Sequence, residues 1–280
     1  MTSTDLTAAH THFAFGRNWA AYAERIGETH IAEAVAGLSR LLGGARLDGR
    51  TFLDIGSGSG IHSVAALRLG ASRVLALDID VDSVGTTRAV LARHAPQSAW
   101  EVQQRSVFDL TPADPGYFDV VYSWGVLHHT GDLSGTMRQA AALCGTNGKF
   151  VFALHRRVWM DWFWRREKRW YAQASAVAQR RARLLYISLY RAGLRLTLRN
   201  PRAYFDAYLK NRGMLFEHDA HDWLGGWPYE SILPREVDAL LTPLGLRRER
   251  AFVSTGRLFG RHSGVFGSGC DEYVYTRPVA

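Results

Sequence analysis

The chain predicts an α/β fold, a mainly parallel seven-stranded sheet with an antiparallel last strand and a helical insert late in the sequence. Three observations predict it. Short apolar runs alternate with amphipathic stretches from Thr51 to Leu154, the pattern of βαβ units laid on a parallel sheet. Three glycines stand where the first run passes into a helical stretch, in "TFLDIGSGSGIHS". From residue 156 to 225 the alternation yields to long helical periodicity, and it resumes only near the end of the chain.

Each element follows in order. Residues 1–50 read as helical: "HIAEAVAGLSRLLGG" sets Ile31, Val35, Leu38, Leu41 and Leu42 on one face, and Gly43-Gly44 stops it. "TFLDIG" is a buried strand and "GIHSVAALRLGA" a helix ending at Gly70. "RVLALDID" is the second strand, and "VDSVGTTRAVLARHA" a helix ending before Pro96, with Asp82 available to cap it near Ser83. "AWEVQQRSVFDL" holds the third strand and the loop after it, "GYFDVVYSWGVLHH" the fourth, Ser134 to Cys144 a helix, and "GKFVFAL" the fifth. The aromatic stretch "VWMDWFWRREKRWY" opens the helical region, where Trp159, Trp162, Phe163 and Trp170 either pack on the domain or wall a ligand pocket, most of them reading as core. "LPREVDALLTPLGL" is then a helix, "RRERAFVST" a strand and "CDEYVYTRP" the last strand, with the glycine-rich "GRLFGRHSGVFGSG" between those two.

Bulk properties exclude several classes. No run of about 18 uncharged apolar residues exists, so a spanning helix is not expected. The N-terminus lacks a basic region followed by an apolar one, so no secretory signal is read and a cytoplasmic location is expected. Cys144 and Cys270 have no partners at metal spacing and read as thiols in a reducing compartment. The net charge of +8 is concentrated: thirteen Arg or Lys residues against two acids lie between Arg156 and Arg202. Such a block suits an anionic substrate, nucleic acid, a membrane surface or a solvated helix face, the last being the default.

Gly56, Gly58 and Gly60 sit where a strand hands over to a helix. Bare backbone there admits a ligand closely, and the helix-start amides favour negative charge. Asp78 ends the next apolar run, where a ribose-binding carboxylate is expected; Asp80 and Asp82 compete with it. Together these imply a nucleoside-containing cofactor in a Rossmann-like crevice. The dinucleotide spacing G-x-G-x-x-G is not met, because Ile61, His62 and Ser63 follow Gly60.

"LDIGSGSG", "ALDID", "SVFDL" and "FDVVYSWGVLHHTGDL" occur in this order, and "LCGTNGKFVFAL" stands where a "KPGG" turn is usual. In these motifs, spread over residues 51–154, the chain resembles the class I S-adenosylmethionine-dependent methyltransferases, and "FGRNWAAY" and "NRGMLFEHDAHDWLGGWPYE" resemble a bacterial subgroup acting on small molecules. The resemblance implies roles. Asp54 would meet the methionine ammonium, and the backbone of Gly56, Ser57, Gly58 and Gly60 would lie against the cofactor. Asp78 would take the ribose hydroxyls with Ile79 against adenine; Asp109 would take the adenine amino group between Val107 and Phe108. Ser123 and Trp124 would border the methionine part.

The chemistry itself asks little of the protein. A sulfonium methyl is already activated, so alignment and exclusion of water matter most, and a base is needed only for a hydroxyl acceptor. His128 and His129, after the fourth strand, and His155, after the fifth, are the candidate bases; a structural role for them stays equally open. Trp19 and Tyr22 are candidates for one wall of the acceptor pocket. His218 and His221, in "HDAHD", are candidates for another, read as polar lining and not as a metal site.

The organisation expected is an N-terminal helical segment (1–50), a Rossmann-like cofactor-binding core (51–155), a helical cap (156–225) and a C-terminal helix with the last two strands (226–280). The expected activity is methyl transfer from S-adenosylmethionine to oxygen or nitrogen of a small-molecule or sugar-like acceptor. Nucleic-acid methylation is the basic insert's alternative, but no "DPPY"-type motif follows strand four. An NAD(P)-dependent oxidoreductase and a non-enzymatic binder of anionic lipid or a partner are the other rivals. Nucleic acid and membrane contact are disfavoured, and the oligomeric state is open.

Overall fold

The computed structural model describes residues 11–13, 15–212, 216–254 and 263–279. Its strands are β1 Thr51–Ile55, β2 Arg73–Asp78, β3 Trp100–Gln104, β4 Phe118–Trp124, β5 Cys144–His155, β6 Arg247–Phe252 and β7 Cys270–Thr276. They form one seven-stranded sheet in the order β3-β2-β1-β4-β5-β7-β6. Strands β1 to β5 pair in parallel, and β7 runs antiparallel to both β5 and β6, as the sequence led one to expect. The order reverses between β1 and β4, which opens a crevice at their carboxyl ends.

Side chains alternate across the sheet and so build two cores. On one face Phe52, Val74, Val120, Tyr122 and Val151 pack against α2 (Glu28–Leu42) and α3 (Ile61–Arg68). On the same face α1 (Gly16–Ala23) and α4 (Val81–His94) extend the packing through Ala23, Val84 and Leu91. On the other face Leu53, Leu75, Val121, Phe150 and Tyr273 meet α5 (Leu133–Ala142) and α10 (Pro234–Leu241). Phe52 and Leu53 are fully buried on opposite faces, each contributing about 1.5–3 kcal/mol by leaving water.

Local chemistry sets the ends. Gly43 closes α2 in the left-handed conformation, φ 72°. Asp80, not Asp82, caps α4: its carboxylate accepts the Asp82 and Ser83 amides, and the helix starts at Val81. The expected helix from Ser134 to Cys144 ends earlier, at Ala142, and β5 begins at Cys144 rather than Gly148. Cys144 pairs with Phe118, and a bulge between Phe118 and Val120 absorbs the extra residues.

After β5 the chain leaves the sheet for α6 (Asp161–Gln173), α7 (Ala176–Leu196), α8 (Pro201–Arg212) and α9 (Phe216–Gly225). A separate apolar cluster of Val158, Trp164, Tyr171, Leu224 and Tyr229 holds part of this region together. Its buried stripe on α6 is Trp164, Lys168 and Tyr171. Trp159, Trp162, Phe163 and Trp170 fall off that stripe and are exposed, so the reading of them as core is wrong. Of the glycine-rich loop before β7, residues 263–269 are described and the rest lies outside the described residues. No helix among the described residues is long and apolar enough to cross a membrane.

Candidate functional site

The site grows from the glycine loop between β1 and α3. Gly56, Gly58 and Gly60 take φ of 75, 53 and 76°, a region that side chains enter at a cost of about 1–2 kcal/mol. Protein also fills the space their side chains would need. A Cβ on Gly56 would lie 2.5 Å from the Val126 methyls, and one on Gly60 would lie 3.0 Å from the Thr87 Cα. At Gly58 the neighbour is Trp19, whose indole lies 3.2 Å from the corresponding point. Trp19 therefore covers the glycine loop. Ser57 Oγ meets Thr87 Oγ1 at 2.9 Å, which ties the loop to α4.

Two carboxylates flank this loop. Asp54, on β1, is buried and accepts the Ser63 hydroxyl at 2.6 Å. Burial is the main cause that raises its pKa to about 7, with the Ser63 hydrogen bond opposing and the nearby Asp78 charge adding. Asp78, at the end of β2, accepts the Gly58 amide at 3.0 Å through one oxygen and the Asp80 amide at 3.0 Å through the other. Burial raises its pKa to about 6 against those amides. Neither acid has an ion-pair partner among the described residues. A buried and a half-buried carboxyl, both without a cation, fit a ligand that brings an ammonium and a pair of hydroxyls.

The other cofactor candidates divide. Ser123 is buried and donates to the Ile55 carbonyl at 3.0 Å, joining β4 to β1 beside the loop. Ile79 is half-buried, and its carbonyl accepts Gln104 Nε2 at 3.1 Å. Asp109 is exposed, Phe108 is half-buried, and Val107 is buried within the main core. Trp124 turns to the strand-β7 side, where its Nε1 donates to Glu272 at 3.2 Å.

The three histidines form one group at the ends of β4 and β5. His128 and His155 rings lie 3.8 Å apart, His128 and His129 4.4 Å, and His129 and His155 5.1 Å. Burial above all pushes His128 and His155 well below the ordinary histidine range and His129 to about 3. All three are neutral near pH 7. Hydrogen bonds assign their protons. His128 Nδ1 accepts the His155 amide at 3.2 Å, which leaves the proton on Nε2, a buried atom without a partner. His129 Nδ1–H donates to the Pro228 carbonyl at 2.7 Å, which leaves a lone pair on Nε2.

Cys270 brings a thiol near His128 and His155. A metal on His128 Nε2 would need that nitrogen deprotonated while Nδ1 still accepts an amide, so these atoms make a polar cluster and a poor ligand set. Serving the same cluster, Lys168 is fully buried, with Nζ 3.6 Å from the Trp223 ring centroid and 5.3 Å from that of Tyr229. Burial lowers its pKa to about 7. Lys168, Trp223 and Tyr229 were not singled out from the sequence as site residues, although Lys168 stands one turn from Trp164 on the buried stripe of α6.

The remaining candidates are scattered. Tyr22 packs beside Trp19 and His30 in the α1–α4 apolar cluster. His221 Nδ1 lies 2.7 Å from Tyr171 Oη and 3.1 Å from an Arg183 nitrogen, and its ring meets Phe13 edge-on. The side chain of His218 lies outside the described residues. Phe15 was not singled out either; its ring centroid is 5.6 Å from that of His129, and the neighbouring Gly16 amide donates to Asp80 at 3.1 Å. The N-terminal strip thus crosses from the histidines to the glycine loop.

Known proteins share this framework. The chain is 36% identical over 113 residues to a ubiquinone biosynthesis O-methyltransferase of Xanthomonas euvesicatoria pv. vesicatoria, covering 39% of this chain and 45% of that one. It is 40% identical over 78 residues to a ribosomal protein L11 methyltransferase of Geotalea uraniireducens, covering 28% and 24%. The chain thus spans less than half the length of these curated relatives. In fold it is similar to the S-adenosylmethionine-bound magnesium protoporphyrin IX methyltransferase of Synechocystis PCC 6803, at a TM-score of 0.51 and 13% identity, covering 89% of this chain and 79% of that one. Residues 24–196 match the methyltransferase domain family, and with the seven-stranded sheet and its crevice in place the chain belongs to that family, among the class I S-adenosylmethionine-dependent methyltransferases.

Proposed function

We propose that this chain transfers the methyl group of S-adenosylmethionine to an oxygen of a small molecule bearing an acidic hydroxyl. The observation that carries the reading is the pair of Asp54, buried, and Asp78, half-buried, both raised in pKa and without a cation. Asp54 would hold the methionine ammonium, and Asp78 the ribose hydroxyls with the two acceptor positions its amide bonds leave. When bound, the cofactor supplies an activated methyl group; the protein aligns it and excludes water.

Oxygen is favoured by the histidine group. His129 is neutral with its lone pair on Nε2, which is the state a base needs before it takes a proton from a hydroxyl. Its low pKa suits a phenol or enol better than an alcohol, because the proton then has a shorter climb. The O-methyltransferase among the relatives supports the same acceptor class. Isothermal titration with S-adenosylhomocysteine and with NAD tests the cofactor side. Incubation with a panel of phenols, enols, alcohols and amines, read by mass, tests the acceptor side. Binding of NAD in place of S-adenosylhomocysteine overturns the first part, and methylation of amines alone overturns the second.

A further inference from the structure

One face of α7 is the least expected surface of the molecule. Val177, Leu184, Leu185, Leu189 and Leu196 are 62, 49, 60, 55 and 86% exposed. At 3.6 residues per turn they fall within about 140° of one another around the helix. Arg181 and Arg195 are exposed on the same side and make no ion pair among the described residues; Arg180 is exposed nearer the packed edge. The helix Ala176–Leu196 holds no Asp or Glu at all. Its opposite side is the packed one, carrying buried Ile187 and Leu194 and half-buried Tyr186 and Tyr190. The neighbouring helix α6, whose Trp164 meets Tyr186 of α7, is also exposed at Trp162, Phe163 and Trp170 among Arg165, Arg166 and Arg169. A solvated face, the default drawn from composition, would not spend its leucines this way.

We propose that the exposed face of α7 docks on an anionic lipid bilayer, its leucines at the headgroup–acyl boundary and its arginines on lipid phosphates. Charge complementarity selects this occupant. Pairing with a second copy across a twofold axis would set arginine against arginine over the same leucines. A nucleic acid would use the arginines and leave the apolar side chains in water. An anionic interface uses both sets, which is the composition of an in-plane amphipathic helix. The helix is about 31 Å long, enough to lie along such a surface. The inference does not rest on the proposed reaction.

The test is co-sedimentation of the full chain with vesicles, one set of phosphatidylcholine alone and one with 30% phosphatidylglycerol, at about 0.1 M salt. Binding to the anionic set alone is expected. L185Q/L189Q should weaken it at least tenfold, and R181Q/R195Q should weaken it by about fivefold for each arginine removed. Unchanged thermal unfolding and S-adenosylhomocysteine affinity show that the variants remain folded. The proposal falls if neither vesicle set binds, or if both variant sets bind as the parent does. It falls equally if L185Q/L189Q dissociates a dimer in sedimentation velocity without touching vesicle binding. Retention of duplex DNA or RNA that only the arginine variants abolish, with no vesicle binding, assigns the face to nucleic acid instead.

Discussion

The Gly58 amide donates to Asp78 Oδ2 at 3.0 Å, so the end of β2 and the middle of the glycine loop are one unit. The acid does two things through this bond. It fixes the loop, and it keeps its own carboxylate aimed at the crevice while leaving acceptor capacity for a ligand.

Replacing Asp78 therefore has a graded outcome. Asp78→Ala loses up to two charge-assisted bonds to a ribose, each about 1.5–3 kcal/mol, and S-adenosylhomocysteine affinity should fall at least 100-fold by calorimetry. Asp78→Asn keeps one carbonyl oxygen and should lose less. Parent-like affinity in the alanine variant would move the ribose site elsewhere.

Asp54 gives a pH signature. Its folded pKa of about 7 stands above the ordinary aspartate range, so the folded state holds the proton more tightly than the unfolded chain. The resulting penalty on stability is fully present above pH 7 and fades as pH falls toward 4. Relative to Asp54→Asn, the ligand-free parent should gain thermal stability across that window. Ligand binding runs the other way, because an ammonium needs the ionised acid. Affinity for S-adenosylhomocysteine should drop on going from pH 8 to 5.5, by up to about tenfold per unit once below the pKa, and the drop should be shallower in Asp54→Asn. A flat profile in the parent would detach Asp54 from the ammonium.

Gly56 separates strain from collision. Any side chain there meets a φ of 75° and the Val126 methyls at 2.5 Å. Gly56→Ala should lower the unfolding free energy by about 2–5 kcal/mol, summing a left-handed residue and an overpacked contact. Val126→Ala in the same chain should recover the collision part and leave the backbone part. A double-mutant cycle with no coupling would mean that the loop moves away instead.

The sheet and its topology were legible because strand–helix alternation and glycine punctuation are local signals that packing reinforces. Asp78 was legible for the same reason, since it closes an apolar run, whereas Asp54 was legible only through the resemblance of "LDIGSGSG". What the sequence hid depended on distance. That Trp19 covers Gly58, that Phe15 sits by His129, and that Lys168 is buried among Trp223 and Tyr229 are contacts between segments far apart in the chain. The exposed tryptophans of α6 were misread because an aromatic cluster ordinarily marks a core, and composition does not say which three positions form the buried stripe. Asp82 was assigned the cap because only the φ/ψ of Asp80 reveals that α4 starts one residue after it.

The histidine group can be divided by function. His129 Nε2 carries the lone pair, while His128 Nε2 carries a proton and His128 Nδ1 is held by the His155 amide. If His129 is the base, His129→Ala should cut turnover of a phenolic acceptor by about 100-fold or more and leave S-adenosylhomocysteine affinity within threefold. The loss should shrink with acceptors of lower hydroxyl pKa and at higher pH, where solvent has already removed the proton. A structural defect would show neither dependence. His128→Ala should instead lower stability by opening a cavity beneath His155, with KM and kcat for the same acceptor moving little at temperatures where the variant is folded. Equal losses of cofactor binding and turnover in His129→Ala, insensitive to acceptor pKa, would return the whole group to scaffolding.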